Sequence, residues 1–208
     1  TIAGDFTLGT GTTRAATNNP TVNLAGNFSN SGTFNAGTGI FTFNGTAAQA
    51  ITGATTFGNV VFNNAAGVTA NSDLAIVRNF TNTAGFNAGS TTTTFNGTID
   101  QTITGATTFN NLTLNNTSGS TTELTLNNDV TVNDTLSFLL GNIITGANTL
   151  IIGNTSGCGV TGAGTGIGYV VGNLRKNFTA SLLSCSFEIG DAIYYTPVNN
   201  LTFASVTG

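Results

Sequence analysis

Short runs of alternating apolar and polar residues recur along the whole chain. Examples are Val22–Leu24, Ile40–Phe43, Leu112–Leu114 and Val130–Val132, each bounded by Asn, Gly, Asp or Ser. Apolar residues rarely recur at helical spacing, so the pattern predicts strand, turn and strand throughout. The alternation places Phe, Leu, Ile and Val on one side of each strand and Thr and Asn on the other.

The chain also repeats itself with an offset of 52 residues. The stretch Ile51–Phe57, for example, returns as Ile103–Phe109 without a gap. An internal repeat of this size is typical of arrays whose units bury their apolar faces only by stacking on neighbours. We expect a repeat array over residues 1–156, with units at about 22–73 and 74–128, followed by a closing segment over residues 157–208.

Two all-β architectures fit short alternating strands: an antiparallel sandwich or barrel, and a parallel β-solenoid. The constant offset favours the solenoid, because stacked coils place each residue above its counterpart. We therefore predict a right-handed parallel β-solenoid with a divergent C-terminal cap or small β module. A period of 52 residues is too long for one coil of short strands, which suggests two coils of about 26 residues in each unit.

If equivalent residues of the two units stack on each other, two kinds of ladder are predicted. The interior ladder consists of Phe28 over Phe80, Phe34 over Phe86, Phe43 over Phe95, Ile51 over Ile103 and Phe57 over Phe109. Asparagine ladders are predicted at the corners, with Asn44 over Asn96 and Asn63 over Asn115. Stacked amides of this kind can hydrogen-bond along the stacking axis, as they do in cross-β structures.

The composition excludes several classes of partner and chemistry. Only 6% of residues are charged, against roughly 25% in an ordinary globular domain. Four scattered basic residues and a net charge of −4 predict no nucleic-acid binding. No apolar run reaches the length of roughly 18 residues that a membrane helix needs. With no histidine and no paired-acid motif, the chain is predicted to have no metal, no cofactor and no enzymatic activity.

Two cysteines remain, Cys158 and Cys185. A disulfide between them would fit an exported protein, and two buried free thiols are the alternative.

Several of these motifs resemble those of a known group of proteins. They are Phe43-Asn44-Gly45-Thr46, Gln49, Ile51-Thr52-Gly53, Thr55-Thr56-Phe57 and Asn111-Leu112-Thr113-Leu114-Asn115-Asn116, with the closing stretches Val171–Lys176, Phe187–Asp191 and Tyr195–Val198. Together they resemble the repeats of large secreted β-helical surface proteins of Bacteroidota and related bacteria. The resemblance implies an extracellular or cell-surface location and a structural or adhesive role.

The ends of an open solenoid expose unpaired backbone groups, which favour contact with further chains. We therefore predict a structural subunit of an extracellular filament or cell-surface appendage that self-assembles head to tail. Its partner is then another copy of itself, because head-to-tail contacts that do not close into a ring make filaments. The predicted assembly ends are Phe6, Leu8, Leu201 and Phe203.

Three other functions compete with the filament. The first is an adhesin stalk or carbohydrate-binding module, with surface glycans as partners and aromatic platforms near Tyr169, Tyr194 or Tyr195. The second is ice binding through the threonine run at residues 91–94, which the first unit does not keep. The third is a polysaccharide-cleaving β-helix enzyme, which would need paired carboxylates.

Overall fold

A computed structural model describes residues 1–14, 19–35, 37–119, 123–154, 157–178 and 184–202. Every regular element in these ranges is a β-strand, and they form a parallel β-solenoid of about eight turns. The predicted fold class is therefore confirmed. The right-handed sense of the coil and the C-terminal cap or small β module stay predictions.

Each turn of the solenoid carries three strand segments, so the coil has three faces. Face 1 contains β3 (Val22–Leu24), β6 (Ile40–Phe43), β13 (Gln101–Thr104), β16 (Leu124–Leu126) and β23 (Ile189–Gly190). Face 2 contains β1 (Phe6–Leu8), β4 (Phe28–Asn30), β7 (Gln49–Thr52), β14 (Thr107–Phe109) and β17 (Val130–Val132). Four longer strands bend from face 1 into face 2: β9 (Asn59–Ala70), β11 (Phe80–Asn87), β19 (Ile143–Ile152) and β21 (Val170–Lys176).

Face 3 is the most regular of the three. It contains β2 (Thr13–Arg14), β5 (Thr33–Phe34), β8 (Thr55–Phe57), β10 (Leu74–Ile76), β12 (Thr92–Phe95), β15 (Asn111–Asn115), β18 (Leu136–Leu140) and β20 (Val160–Thr161). Parallel pairing runs unbroken from β8 to β20. The remaining strands, β22 (Ser184–Phe187) and β24 (Val198–Thr202), form a separate antiparallel pair.

The coils are shorter than predicted. On face 3, Phe57, Ile76, Phe95 and Leu114 are successive partners, so each coil there adds 19 residues. Elsewhere some corners are longer, and register partners lie up to 27 residues apart, as Ile143 and Val170 do. Two coils of about 26 residues per unit is therefore wrong, because three very short strands with tight corners complete a turn.

The repeat unit and the coil consequently do not coincide. Between Phe28 and Phe80 the chain passes through eight strand segments, with β9 counted twice because it lies on two faces. Eight segments are one segment short of three full turns. Each unit is therefore rotated by a third of a turn about the solenoid axis relative to the unit before it.

This rotation overturns the predicted interior ladder. Phe28 lies on face 2 and pairs with Phe6 and Ile51. Phe80 lies on face 1 and pairs with Val60. The other predicted pairs are also split between faces: Phe34 and Phe86 (faces 3 and 2), Phe43 and Phe95 (1 and 3), Ile51 and Ile103 (2 and 1), and Phe57 and Phe109 (3 and 2).

The ladder residues nevertheless build the core. All of them are buried except Phe86, which is partly buried. Aromatic stacking occurs at the coil spacing, as between Phe43 and Phe62, whose ring centroids are 5.4 Å apart with planes 9° from parallel. Burying each such ring contributes about 1.5–3 kcal/mol to folding. The packed interior is therefore the main source of stability in a chain whose surface has few charged residues to form ion pairs.

One corner in each unit requires glycine. Gly53 has a φ of 87°, and a Cβ built there would lie 1.8 Å from the carbonyl oxygen of Asn30. Its counterpart Gly105 has a φ of 90°, and the same distance separates its Cβ position from the carbonyl oxygen of Asn82. Only a residue without a side chain allows the neighbouring coil to approach so closely.

Candidate functional site

The most elaborate polar feature of the repeat is a buried glutamine. The side chain of Gln101 is fully buried. Its Nε2 donates to the carbonyl oxygens of Ile76 (2.8 Å) and Arg78 (2.6 Å) in an earlier coil. Its Oε1 accepts from the Gly97 N–H and from Asn116 Nδ2, both at 2.9 Å. One side chain thus satisfies the backbone of two corners and joins three coils.

The first unit contains the same arrangement. Gln49 Nε2 donates to the carbonyl oxygens of Leu24 and Gly26. Its Oε1 accepts from the Gly45 N–H and from Asn64 Nδ2, both at 2.9 Å. Gln49 lies on face 2 and Gln101 on face 1. The repeat therefore preserves the interior contacts between coils while changing the direction in which each unit faces.

The predicted asparagine ladders do not form. Asn44 is exposed, and its backbone N–H donates to the Leu24 carbonyl of the preceding coil at 3.0 Å. Asn63 pairs in register with Ala84, and Asn115 pairs with Leu140, so neither lies over the other. Asn96 belongs to another face than Asn44, for the same reason that the phenylalanine ladder fails.

The asparagines that do form buried hydrogen bonds each lie one residue after Asn63 or Asn115 in the chain. Asn64 and Asn116 are buried and hold the two glutamines. The sequence contains a signal for this burial. Val60, Phe62 and Asn64 are alternate residues of one strand and so lie on the same side, and an inward Phe62 therefore requires an inward Asn64. The alternation rule applied to residue 64 identifies the buried amide.

The predicted disulfide is present. Cys158 and Cys185 are bonded, with their Cα atoms 5.6 Å apart. The bond ties the antiparallel pair β22–β24 to the turn that precedes β20. The free-thiol alternative is therefore excluded.

A charged pair ends one interior column. On face 2, Ile152 pairs in register with Lys176 of the following coil. Lys176 is buried, and its Nζ lies 2.6 Å from Oε2 of Glu188, which is also buried. Burial lowers the pKa of Lys176 from its ordinary value, and the Glu188 carboxylate opposes that shift. A further coil could not pack an apolar side chain against a charged group at this position, as it could against Ile152.

The predicted assembly ends have different environments. Leu8 is buried in the core, and Phe6 is partly buried against Phe28, with ring centroids 5.2 Å apart. Leu201 is exposed and lies in the antiparallel β24 rather than in a coil. Phe203 lies outside the described residues. The assembly role of these residues stays a prediction.

Within the described ranges, β1 pairs only with β4, and β2 pairs only with β5. Phe6 N–H donates to the Asn27 carbonyl, and Leu8 accepts from the Ser31 N–H. Because alternate residues of a strand direct their backbone groups to opposite sides, the N–H and C=O of Thr7 face away from the second coil. Within the described residues, no strand pairs with this side of the first coil.

A cleft lies beside the last coils, and all of its lining residues except Glu123 follow the second repeat unit. Its volume is about 240 Å³, and its lining includes Glu123, Asn142, Tyr169, Ile193 and Tyr195. The rings of Tyr169 and Tyr195 have centroids 5.3 Å apart, and the Tyr169 hydroxyl donates to a backbone carbonyl in the turn before Ile193 at 3.1 Å. Two of the three tyrosines proposed as aromatic platforms thus come together in one cavity.

The polar groups of this cleft are held by the backbone. The carboxylate of Glu123 is buried, and its Oε2 accepts from the Asn142 N–H at 3.0 Å. The Asn142 Oδ1 in turn accepts from the Tyr169 N–H at 3.1 Å. Burial raises the pKa of Tyr169, and the nearby carboxylates of Asp191 and Glu123 raise it further. Burial likewise raises the pKa of Tyr195.

Asp191 shapes the turn that carries the outer wall of the cleft. Its Oδ1 accepts from the N–H groups of Ile193 and Tyr194, both at 2.7 Å. These backbone donors lower the pKa of the Asp191 carboxyl, which keeps it ionised. Glu123 and Asn142 were not identified from the sequence, because the residues that surround them come from three separate coils.

The structure also limits the chemistry available. In the ranges that it describes, no group of three or more Cys, Asp and Glu side chains could hold a metal ion. Nor does the described part of the chain contain a helix that could cross a bilayer.

The chain matches no protein-family model, no curated protein and no solved structure. The resemblance to secreted β-helical surface proteins therefore stays a prediction.

Proposed function

We propose that this chain is a structural segment of an extracellular filament or cell-surface appendage, in which copies associate end to end. The main support is that the repeated residues face inward. The glutamine and asparagine clusters, the corner glycines and the core phenylalanines recur in both units, although the two units face different directions. Because the repeat preserves the contacts between coils and not one outward surface, it is more consistent with a structural shaft than with a binding face.

The disulfide and the outer side of the first coil support the same proposal. A disulfide between Cys158 and Cys185 suits an oxidising compartment outside the cell. The outer side of the first coil, which no described strand pairs with, presents backbone donors and acceptors with the geometry of a parallel ladder. A coil from another copy would satisfy those groups and extend the shaft.

Edge pairing can be tested by substituting Thr7. Thr7→Pro removes a backbone N–H that points away from the second coil, and proline is tolerated on a strand edge. Thr7→Ala keeps the N–H and serves as the matched control. Sedimentation velocity over a range of concentrations and negative-stain microscopy should show elongated oligomers for the wild type and Thr7→Ala, and monomers for Thr7→Pro.

Two results would contradict the proposal. Wild-type protein that stays monomeric at every concentration excludes end-to-end association of this chain. Thr7→Pro that assembles as well as Thr7→Ala excludes the first coil as the contact, even if filaments form.

A further inference from the structure

The cleft beside the last coils has a polar floor with unused hydrogen-bonding capacity. One oxygen of the buried Glu123 carboxylate accepts from the Asn142 N–H. Within the described residues the other oxygen has no hydrogen-bond partner, and neither has the Asn142 Nδ2. Both side chains line the cavity. A carboxylate acceptor and an amide donor, from two residues that are hydrogen-bonded to each other, therefore both border a space of about 240 Å³.

Apolar side chains also form part of the wall of the same cleft. Tyr195, Ile167 and Ile193 are among its lining residues, and Ile167 and Ile193 have 41% and 75% of their surfaces exposed. Large apolar side chains left this exposed beside a concave polar site commonly mark a place where a ligand binds. Here they would cover one face of a ligand whose edge reaches the floor.

The combination matches the chemistry of a sugar ring. A hydroxyl group can donate to the carboxylate of Glu123 and accept from the amide of Asn142 at the same time. The C–H face of a pyranose is apolar and packs on an aromatic ring such as that of Tyr195. We infer that this cleft binds a neutral sugar residue of a glycan.

Charge decides between neutral and acidic glycans. The Glu123 carboxylate lies at the floor, and the ionised Asp191 lies in the adjacent turn. No Lys or Arg is among the lining residues. A uronic or sialic acid would bring like charge towards these carboxylates, so acidic sugars are disfavoured.

The site goes beyond the proposed shaft and does not depend on it. All lining residues of the cleft come from a single chain, so a monomer would contain it complete. Loss of end-to-end association through Thr7→Pro leaves the sugar site intact, so the two proposals can fail separately.

The chain offers its own spectroscopic reporter. It has no tryptophan and three tyrosines, and two of these line the cleft. A microarray of neutral, amino and acidic glycans identifies the class of sugar. Titration with the methyl glycosides of glucose, galactose, mannose and N-acetylglucosamine, followed by tyrosine fluorescence, then measures affinity.

Three variants define the contacts. Tyr195→Ala removes the wall, whereas Tyr194→Ala removes a neighbouring ring that is 65% exposed and outside the lining. Glu123→Gln keeps the shape of the floor but removes its charge. We expect about tenfold weaker binding for Tyr195→Ala and Glu123→Gln, and an unchanged affinity for Tyr194→Ala. Circular dichroism checks the fold of each variant, and Glu123→Gln suffices if Tyr195→Ala does not fold.

Three outcomes overturn the inference. The first is that no neutral glycan on the array and none of the four glycosides binds the wild type. The second is equal weakening by Tyr194→Ala and Tyr195→Ala. The third is a preference for acidic glycans, or for amino sugars whose binding Glu123→Gln abolishes, which would identify an ionic site instead.

Discussion

Replacing the buried glutamine of either unit should destabilise the solenoid strongly. Gln101→Met keeps the length of the side chain but removes all four of its hydrogen bonds. The carbonyl group of Arg78 and the N–H of Gly97 then lose their glutamine partner, whereas the Ile76 carbonyl still accepts from the Asn96 N–H at 3.1 Å. Each stranded group costs about 1–3 kcal/mol, so we expect a loss of about 4 kcal/mol after partial relaxation.

The repeat supplies an internal comparison. Gln49→Met removes the same set of bonds from the first unit. Because the local contacts are the same although the faces differ, its effect should match that of Gln101→Met within about 1 kcal/mol. Thr102→Val, on the outward side of β13, serves as the control and should change stability by less than about 0.5 kcal/mol.

Urea unfolding followed by circular dichroism measures the loss for the whole chain. A solenoid can unfold coil by coil, so hydrogen exchange at the Gly97 and Gly45 amides should accompany it. A loss below about 1 kcal/mol for either glutamine variant would show that these amides do not hold the coils together. A large difference between the two would refute the equivalence of the rotated units.

Three further predictions concern single features. Gly105→Ala, which forces a Cβ against a carbonyl of the neighbouring coil at a φ of 90°, should lower the urea midpoint more than any alanine substitution at an open glycine. Replacing Cys158 and Cys185 by serine should cost about 3.5 kcal/mol for a separation of 27 residues, and should accelerate hydrogen exchange in β22 and β24 first. Lys176→Met should destabilise by about 3–5 kcal/mol because it leaves the Glu188 carboxylate buried and unpaired, whereas adding Glu188→Leu should recover most of that loss in a double-mutant cycle.

Much of the fold could be predicted because alternation is a local property. An inward Phe62 requires an outward Asn63 and an inward Asn64, whatever the strand pairs with. The two cysteines and the lack of histidine made a disulfide a candidate, but two free thiols stayed open until the structure showed the bond. The cleft could not be predicted in the same way, because Glu123, Asn142 and Tyr195 meet only after several coils have stacked.

The amino-acid sequence by itself determined that the chain consists of short β-strands with phenylalanine inside and threonine outside, and its constant repeat offset favoured parallel stacking over a sandwich. It also determined which residues recur, since the contacts of Gln49 and Gln101 depend on local spacing. Only the tertiary structure decided how many strands close one turn. Closure depends on how sharply each corner bends and on how strands such as β9 continue through a corner, and these are properties of the packed coils. With three strands per turn and eight segments per unit, identical sequences lie a third of a turn apart, which no inspection of the repeat alone reveals.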